Sequence, residues 1–511
     1  MPLFNSIVTW LMKQRIHQIE LFFKYPHEVQ EEWRKKLVHK AKDTEWGKKF
    51  DFSSIRTADE FRQRIPIQDY ESIKSDIGRL RRGEQNILWP SEIHWFAKSS
   101  GTTSDKSKFI PVSAEALEEC HYKGGKDLLC FYCHSHPGAK IFDGKTLTMG
   151  GSHQLNTFRS DSFYGDLSAV LIQNLPIWVE IIRTPDLSIT LMDNWEEKIE
   201  KMARATVNEN VTSISGVPTW TIVLANRLLE LTGKKNLLEL WPNLELFIHG
   251  AVSFVPYREQ FRQLIPSAKM NYLETYNASE GFFGIQDLIG SDEMLLMLDY
   301  GVYYEFIPMS DIGKENPGTV LLDSVNTDTD YALVITTNAG LWRYMIGDTI
   351  RFTSLKPFRF RITGRTKHYI NAFGEEVIID NAERALKIAC EKTGALLRDY
   401  TVAPVYFSGK ENGAHEWLIE FESEPVSIEY FSELLDNALK SLNSDYEAKR
   451  FHDLALRSPV IRVMPENSFY GWLKSKGKLG GQNKVPRLYN DRLYADEILN
   501  FVSSGAQLSN K

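Results

Sequence analysis

Apolar residues recur at intervals of three to five along residues 1 to 45. The recurring positions are Phe4, Val8, Leu11, Ile16, Ile19 and Phe23. This spacing places apolar side chains along one face of a helix. Pro26 predicts a break between two helices, because proline cannot supply the backbone hydrogen bond of a helix interior. Gly47 predicts the end of the second helix.

Between about residue 90 and residue 350, short runs of β-branched residues alternate with helical patterns. The strand-like runs are KTLTMGG, TSISGVP, LELFIHG, TVLLDSV and YALVITTNAGLWRYMIGDTIRFT. The helical runs are NWEEKIEKMARATV, TWTIVLANRLLELTG and PYREQFRQLIP. Such alternation predicts an α/β domain built in layers.

The pattern changes after about residue 364. Strand-like runs YTVAPVYFSG, HEWLIEFES and PVIRVM are mixed with long helical runs such as IIDNAERALKIACEKTG. This part is domain-sized and predicts an α+β unit. A chain of 511 residues is also too long for one hydrophobic core. We therefore expect two domains, 1–363 and 364–511.

The charge of the chain excludes some partners. Lys and Arg number 60 against 67 Asp and Glu, a formal net charge of -7. A protein without a surplus of positive charge has no general attraction to nucleic acid or to anionic lipid. We expect no nucleic-acid partner, and we expect any bound anion to be small and held locally.

The cysteines are too few and too scattered for a disulfide framework, which predicts a reducing compartment. They are Cys120, Cys130, Cys133 and Cys390. The run CFYCH at 130–134 matches a haem-attachment pattern, but that chemistry requires export. The N-terminal run MPLFNSIVTWLMKQR has no basic residue before its apolar stretch and is too short to span a membrane. We therefore expect a cytoplasmic protein with no membrane partner, whose cysteines pack on a buried helix face.

The run KSSGTTSDKSKFIPVS at 98–113 concentrates small residues, hydroxyls and lysines. Small side chains let backbone N–H groups approach an anion, and hydroxyls with a lysine complete its surroundings. This run predicts a phosphate-binding loop. A polar surface loop between two strands is the alternative.

Four further runs carry candidate chemistry. In NYLETYNASEGFFGIQD, Tyr276 precedes a turn of small residues; its ring can stack on a nucleobase, and Glu280 can hold magnesium between phosphates. In LWRYMIGDTIRFT, Gly347 and Asp348 interrupt two strand-like runs, and the carboxylate can accept both hydroxyls of a ribose. Ordinary packing and a hairpin turn are the respective alternatives.

The run TGRTK holds a Gly364-Arg365 turn close to the expected domain boundary. The run KSKGKLGGQNKVPRL is flexible and cationic, and a mobile lysine there can approach a developing phosphate oxyanion. A solvated basic tail is the alternative for this last run.

Each motif alone is weak, but their order along the chain resembles that of adenylate-forming enzymes. More closely, the chain resembles the acyl-acid amido synthetases that conjugate auxin and jasmonate in plants, the Gretchen Hagen family, and their shorter bacterial relatives. The matching runs are IPIQDYESIKSDIGRLRRGE, SSGTT with Lys108, YNASEGFFGIQ, YYEFIP, LWRYMIGD and GGQNKVPR. They cover nearly the whole chain.

The resemblance implies a large adenylate-forming N-terminal domain and a smaller, mobile C-terminal lid. It implies that ATP and Mg²⁺ are used to activate a small carboxylic acid as an acyl-adenylate with release of pyrophosphate. The acyl group then passes to the amine of an amino acid, which releases AMP. A closing lid would exclude water from the reactive adenylate.

The resemblance also implies roles for individual residues. The phosphates of ATP would be held by Ser99, Ser100, Gly101, Thr102, Thr103 and Lys108. The rest of the nucleotide would be held by Gly250, Ala251, Tyr276, Asn277, Ala278, Ser279, Asp348 and Arg365. Glu280 would hold magnesium, and Lys484 would act on the α-phosphate. The acid would lie beside Val217 and Pro218, and Gly364 with Lys367 would form the hinge.

Two departures from the family pattern stand out. Asp105 lies where the loop usually has glycine, and Met345 replaces a common arginine. Two alternative functions remain at this point: an acyl-CoA ligase that shares the adenylation step, and a nucleotide-binding sensor that has lost turnover.

Overall fold

The computed structural model describes most of the chain. The described residues are 15–100, 107–150, 156–159, 161–175, 177–192, 194–252, 254, 257–312, 314, 317–366, 369–407, 412–453, 455–476 and 485–508. They divide into two compact units. The larger holds the described residues up to Thr366 except Ser100, Ser107 and Tyr257, and the smaller holds these three with the described residues after Thr366.

The part of the larger unit that the structure describes begins with five helices. They are α1 (15–24), α2 (Pro26–Lys40), α3 (Glu45–Lys49), α4 (Ala58–Arg64) and α5 (Tyr70–Arg81). The predicted break at Pro26 is confirmed, since Pro26 is the first residue of α2. The predicted helix end at Gly47 is wrong, because α2 ends at Lys40 and Gly47 lies inside α3. A Cβ at Gly47 would come 2.1 Å from the carbonyl oxygen of Ala41, so close packing requires this glycine.

Fifteen strands follow among the described residues of the larger unit. They are β1 (Trp95–Ser100), β2 (Ser107–Val112), β3 (Lys145–Thr148), β4 (Asn156–Arg159), β5 (Ser162–Asp166), β6 (Arg183–Thr184), β7 (Val211–Ser215), β8 (Leu246–Gly250), β9 (Asn271–Ala278), β10 (Gly281–Ile285), β11 (Met294–Leu296), β12 (Val302–Pro308), β13 (Asp330–Thr337), β14 (Tyr344–Leu355) and β15 (Phe358–Arg365). The run TVLLDSV is not a strand, and contributes only a bridge between Val320 and Phe306.

The helices between these strands alternate with them along the chain. They are α6 (Ala114–Ala116), α7 (Lys123–Ser135), α8 (Leu167–Gln173), α9 (Ile177–Ile182), α10 (Leu187–Thr190), α11 (Trp195–Thr206), α12 (Pro218–Thr232) and α13 (Arg258–Leu264). A π-helical turn, Leu117–Tyr122, joins α6 to α7. The segment with Cys120, Cys130 and Cys133 is therefore helical, as expected.

Eleven of the strands form one sheet in the order β12-β13-β14-β15-β11-β10-β9-β8-β7-β3-β6. The half of the sheet that holds β6, β3, β7, β8 and β9 pairs in parallel. From β9 onward in the sheet order, through β10, β11, β15, β14, β13 and β12, neighbouring strands pair antiparallel. A second sheet has the order β2-β1-β5-β4. β12 and β13 are buried over nearly their whole length, as expected for strands covered on both faces.

The smaller unit mixes strands and helices. Its strands are β16 (Tyr369–Ile370), β17 (Val377–Ile378), β18 (Leu396–Val405), β19 (Ala414–Ser423) and β20 (Val460–Val463). Its helices are α14 (Ile379–Thr393), α15 (Ile428–Leu442), α16 (Ser444–Arg450), α17 (Ser468–Ser475) and α18 (Leu493–Leu508). The predicted fold class, a large α/β unit with a smaller α+β unit, is confirmed.

Candidate active site

The parallel strands β7, β8 and β9 end at the same edge of the large sheet. The register of β8 on β9 places Gly250 opposite Thr275. The residues at these strand ends, Val217, Ala251 and Tyr276, therefore belong to one edge. Ligands of open α/β sheets bind at the carboxyl ends of the parallel strands. This edge is the candidate site.

The backbone at Gly250 and Ala251 has two features that are suited to a ligand-binding edge of the sheet. A Cβ at Gly250 would lie 2.6 Å from the carbonyl oxygen of Thr275, so the approach of β8 to β9 requires glycine. Ala251 is exposed and has a φ of 70°. Such a conformation costs a non-glycine residue about 1–3 kcal/mol and is found often at ligand sites. The predicted contact of both residues with adenine stays a prediction.

Val217 and Pro218 form the junction between β7 and α12. Pro218 is the first residue of α12, where a missing N–H leaves no hydrogen bond unmade. The hydroxyl of Thr221 donates to the carbonyl of Val217 at 3.0 Å and fixes this turn. Pro218 is buried and Val217 is half-buried, so Val217 offers more surface to an acyl acid. Their predicted contact with the acid stays a prediction.

Glu280 lies at the tip of the hairpin between β9 and β10. Ala278 pairs with Gly281, which leaves Ser279 and Glu280 as the two turn residues. The predicted turn is present, although β9 runs two residues beyond Tyr276. Glu280 is partly exposed at this tip.

The surroundings of Glu280 contain charges from three other segments. Burial raises the pKa of Glu280 to about 7, and the nearby carboxylate of Asp348 adds to the rise. Lys108 and Arg365 lower it. Lys108, Glu280, Asp348 and Arg365 therefore share one electrostatic environment, although they are far apart in sequence. Strongly shifted pKa values of this kind are common at functional sites.

Asp348 is held by two donors. Across the pairing of β14 with β15, Nε of Arg365 donates to Oδ1 of Asp348 at 2.7 Å. The hydroxyl of Tyr276 donates to Oδ2 of the same carboxylate. Asp348 is only 8% exposed, so these contacts fix an anionic group at the border of the site. The structure thus brings together three of the residues predicted to bind ATP.

Gly347 and Asp348 form a bulge rather than a chain reversal. β14 runs through both residues, and its pairing with β13 passes from Met345 directly to Thr349. Gly347 has a φ of 101°, which only glycine adopts without strain. The expected interruption is therefore a bulge within one strand, and the alternative of a hairpin turn is wrong.

Tyr276 is more deeply placed than a stacking residue needs to be. Its ring is 7% exposed and meets Phe283 edge-on at 5.0 Å between centroids, with Phe360 at 6.1 Å. Little of the ring is open to an adenine. Stacking stays a prediction that requires the ring to become more exposed, whereas its contact with Asp348 makes it a support of that carboxylate.

The predicted phosphate loop is described only at its two ends. Ser99 lies near the end of β1, and Lys108 lies on the neighbouring strand β2. Both are half-buried. Gly101, Thr102, Thr103 and Asp105 lie outside the described residues, as does the side chain of Ser100.

The predicted hinge and lid residues are only partly described. Gly364 lies in β15 opposite Thr349, with a φ of 146°. Lys367 and Lys484 lie outside the described residues. The hinge, the lid and the role of Lys484 stay predictions.

Residues Gln68 and Tyr70 join the site from a segment to which no role was given. The hydroxyl of Tyr70 accepts a hydrogen bond from the backbone N–H of Phe109, next to Lys108, at 3.0 Å. The backbone of Gln68 bonds to both Arg343 and Met345, at 2.9 and 2.8 Å. This segment therefore links the strand of Lys108 to the strand of Asp348. Its resemblance to the family run at 65–84 was the only sign of this in the sequence.

Arg343 and Glu305 form a buried ion pair that supports the start of β14. Nη2 of Arg343 lies 2.9 Å from Oε1 of Glu305, and both side chains are nearly inaccessible. The same guanidinium donates to the backbone carbonyls of Arg62 and Ile65. Met345 packs with apolar residues such as Ile307 and Val334, so the departure at this position fills a hydrophobic cluster.

Two kinds of feature are absent from the described residues. They contain no group of three or more His, Cys, Asp or Glu side chains arranged to hold a metal ion. They also contain no helix long and apolar enough to cross a bilayer.

The sequence of the chain is similar to a known protein family. A model of the GH3 family N-terminal domain matches residues 15–270. The chain belongs to the GH3 family. Models of the GH3 family central and C-terminal domains match residues 295–365 and 380–493. The predicted resemblance to this family is confirmed.

Named GH3 relatives are similar over nearly their whole length. Indole-3-acetic acid-amido synthetase GH3.4 of Arabidopsis thaliana is 24% identical, with 92% of this chain and 90% of that protein covered. Jasmonoyl-L-amino acid synthetase JAR4 of Nicotiana attenuata is 23% identical, with 92% of both covered. These relatives are named as synthetases of the predicted class. The predicted class of enzyme, an amido synthetase of the GH3 family, is therefore confirmed.

Solved structures agree with the fold. An acyl acid amido synthetase, AtGH3.15 in complex with 2,4-DB, superposes with a TM-score of 0.63 at 17% identity, covering 96% of both chains. A 2-hydroxyisobutyryl-CoA ligase in complex with an acyl-AMP and CoA superposes with a TM-score of 0.58 at 11% identity, covering 96% of this chain and 93% of that chain. The fold of this GH3 protein is therefore that of adenylate-forming ligases.

Proposed function

We propose that this protein is an ATP-dependent acyl-acid amido synthetase. It activates a small carboxylic acid as an acyl-adenylate and joins the acyl group to the amino group of an amino acid. The observation that carries this proposal is the shared environment of Glu280, Lys108, Asp348 and Arg365 at the edge where the parallel strands end. Membership of the GH3 family, whose named relatives are amido synthetases, supports it.

In the first step, an oxygen of the acid attacks the α-phosphorus of ATP. A new P–O bond forms, the bond to the pyrophosphate oxygen breaks, and pyrophosphate leaves. The reacting centre is crowded with negative charge, so fixed positive groups lower the barrier. Lys108 supplies one, and Ser99 with the loop up to Thr103 would place hydroxyls and backbone N–H groups around the phosphates. Asp348 would accept the ribose hydroxyls while Arg365 and Tyr276 hold its carboxylate.

Glu280 is the residue proposed to hold Mg²⁺. The fit rests on its place at a hairpin tip, where the residue is partly exposed and its carboxyl group lies near Lys108 and Asp348. Magnesium in nucleotide sites is commonly held by one or two carboxylates together with substrate phosphates. A lone carboxylate is therefore a sufficient protein contribution. When bound, the ion would neutralise phosphate charge.

In the second step, the amine nitrogen of an amino acid attacks the acyl carbon. The new C–N bond replaces the C–O bond to AMP, the amine gives up a proton, and AMP leaves with the bonding electrons. An acyl-adenylate is open to hydrolysis, so water must be kept out. We propose that the residues after Gly364 act as the lid, with Lys484 carried toward the α-phosphate for adenylation only.

The acid would lie between Val217 and the hairpin of Glu280. The relatives named above are synthetases for indole-3-acetic acid and jasmonate, and a third is named a 4-substituted benzoates-glutamate ligase. We propose an acid of similar size for this chain.

We also propose that the protein works in the cytoplasm without a nucleic-acid partner. Its four cysteines are free thiols, as expected in a reducing compartment. The net charge of -7 gives no general attraction to a polyanion.

The test is a panel of carboxylic acids offered with ATP and Mg²⁺, and then with the amino acids or CoA. The proposal predicts acid-dependent pyrophosphate release, and an amide with AMP when the correct amino acid is added. A thioester in the CoA arm and no amide would instead indicate an acyl-CoA ligase. ATP binding without any turnover across the panel would indicate a sensor.

A further inference from the structure

The π-helical turn Leu117–Tyr122 contacts the hairpin that carries Glu280 at a single rung. Asn277 and Phe282 are register partners in this hairpin, in the second pair behind the two turn residues. Nδ1 of His121 lies 2.8 Å from Oδ1 of Asn277. The backbone N–H of Phe282 donates to Sγ of Cys120 at 3.1 Å. Two consecutive residues of the turn therefore hold both strands of the hairpin.

Cys120 contacts backbone groups of β10 that β11 is too short to pair with. β11 pairs with β10 only at Gly284 and Ile285, so the outward backbone groups of Phe282 lie beyond the end of β11. The thiol accepts from the N–H of Phe282 and lies 3.8 Å from its carbonyl oxygen. The contact satisfies buried backbone groups, which accounts for Cys120 without any chemical role.

His121 has a different effect, because its contact is with a side-chain amide. Burial lowers the pKa of His121 to about 4, so the imidazole is neutral near pH 7. A neutral imidazole donates from one ring nitrogen only, and the atom facing Nδ1 is the Oδ1 acceptor of Asn277. In the tautomer that carries its hydrogen on Nδ1, His121 donates to Oδ1 and holds the Asn277 amide in the observed orientation.

The selected orientation leaves the donor end of the amide open. Among the described residues, Nδ2 of Asn277 has no hydrogen-bond partner, and Asn277 is partly exposed beside Tyr276 and Glu280. His121, by contrast, is only 4% exposed and cannot itself reach a large ligand. The two free N–H donors lie next to the proposed binding site for ATP and the acid. Such donors can bind an anionic oxygen of either substrate.

We propose that His121 is a positioning residue that orients the Asn277 amide so that Nδ2 donates to an anionic oxygen of a substrate. That oxygen belongs to a phosphate of ATP or to the carboxylate of the acyl acid. The inference rests on the proposed function. π-helical turns are rare and are frequent at functional sites, which agrees with a role beyond packing.

Three variants test this role. Asn277→Asp keeps the acceptor for His121 and the size of the side chain, but replaces the N–H donors by a negatively charged oxygen. His121→Asn keeps a donor close to the position of Nδ1, whereas His121→Phe removes it. Asn500→Asp, on an exposed part of α18, is the matched control for the added charge.

The measurements are equilibrium binding of ATP with MgCl₂, the KM values of ATP and of the acid in pyrophosphate release, and the thermal midpoint. Asn277→Asp should weaken one ligand by about ten- to a hundredfold, as expected for a lost hydrogen bond to a charged group. Weaker ATP binding would show that the oxygen bound by Asn277 belongs to a phosphate. A raised KM for the acid with normal ATP binding would show that it belongs to the carboxylate of the acid. His121→Phe should weaken the same ligand, and His121→Asn should restore it to within about threefold.

A purely structural pair would behave differently. His121→Phe would lower the thermal midpoint, while Asn277→Asp would bind ATP and acid as the parent does, and that result would overturn the inference alone. A parent protein that neither binds ATP nor releases pyrophosphate would overturn the proposed function, and the inference with it.

Discussion

Arg365 and Asp348 are bonded across two paired strands, with Nε of Arg365 2.7 Å from Oδ1 of Asp348. The same carboxylate accepts the hydroxyl of Tyr276, which comes from β9. Asp348 and Arg365 belong to the consecutive strands β14 and β15, and Tyr276 belongs to the distant strand β9, so three strands define the position of one carboxylate. This arrangement is what a ribose-binding group requires, since both carboxylate oxygens must point in fixed directions.

Asp348→Asn should weaken the binding of ATP far more than the binding of the acid. The change removes the charge and one acceptor oxygen, so two ribose hydroxyls can no longer both be bound, and the KM for ATP should rise about ten- to a hundredfold. Asp330→Asn is a matched control, because Asp330 also faces an arginine, Arg351, in the same sheet, but at an exposed position. Unchanged ATP dependence in Asp348→Asn would show that the bulge is only structural.

Glu280→Gln should abolish acid-dependent pyrophosphate release without destabilising the fold. Burial disfavours the charged form of Glu280, as its raised pKa shows, so a neutral amide costs the folded protein little. Thermal midpoint and pyrophosphate release are measured on the same preparation. Full activity would remove Glu280 from the site, and a large loss of stability would assign it a structural role instead.

Lys484→Ala should separate the two half-reactions. Val485-Pro486 follow this lysine and Gly480-Gly481 precede it, which suits a residue presented by a moving segment. Pyrophosphate release should fall by two to three orders of magnitude, about 2.7–4 kcal/mol for a lost donor to a developing oxyanion. Amide formation from pre-made acyl-adenylate should stay near normal. Equal impairment of both steps would contradict a mobile role.

His249→Leu should make the fold less sensitive to acid. His249 is 4% exposed and its Nδ1 has no partner among the described residues, and burial lowers its pKa from 6.5 to about 3. A histidine with a depressed pKa stabilises the fold fully above pH 6.5, and this contribution is lost as the pH falls toward the folded pKa. At about pH 5 the loss is about 2 kcal/mol.

The measurement for His249 is the change in unfolding free energy between about pH 7.5 and about pH 5. The change should be smaller in His249→Leu than in the parent. His17→Leu, at an exposed histidine of α1, is the control and should leave the slope unaltered. An equal slope in all three proteins would mean that His249 is protonated in the fold.

The sequence patterns predicted the local structure around the site well. The alternation of strands and helices gave β7, α12, β8 and α13, and the small residues after Tyr276 gave the hairpin of Glu280. These features depend on neighbours in the chain, namely periodicity and turn chemistry. The same local reasoning did not show why glycine is present at Gly47, which packs against the carbonyl of Ala41, or at Gly347, which has a positive φ inside β14.

The long-range contacts could not be predicted from the sequence. Tyr276 and Asp348 are 72 positions apart, and His121 and Asn277 are 156 apart. No pattern within either segment marks its partner. The stacking role given to Tyr276 shows the consequence, because the motif identified the residue but not its buried place against Phe283 and Asp348.

The fate of one oxygen atom distinguishes an acyl-adenylate from other routes to the amide. The acid is labelled with ¹⁸O in its carboxylate and converted to amide with ATP and the matching amino acid. If an acyl-adenylate forms, the carboxylate oxygen that attacks the α-phosphorus stays on AMP when the C–O bond breaks. We therefore expect one ¹⁸O in each AMP and none in pyrophosphate. Label in inorganic phosphate with ADP as the second product, or amide formed with unlabelled AMP, would contradict it.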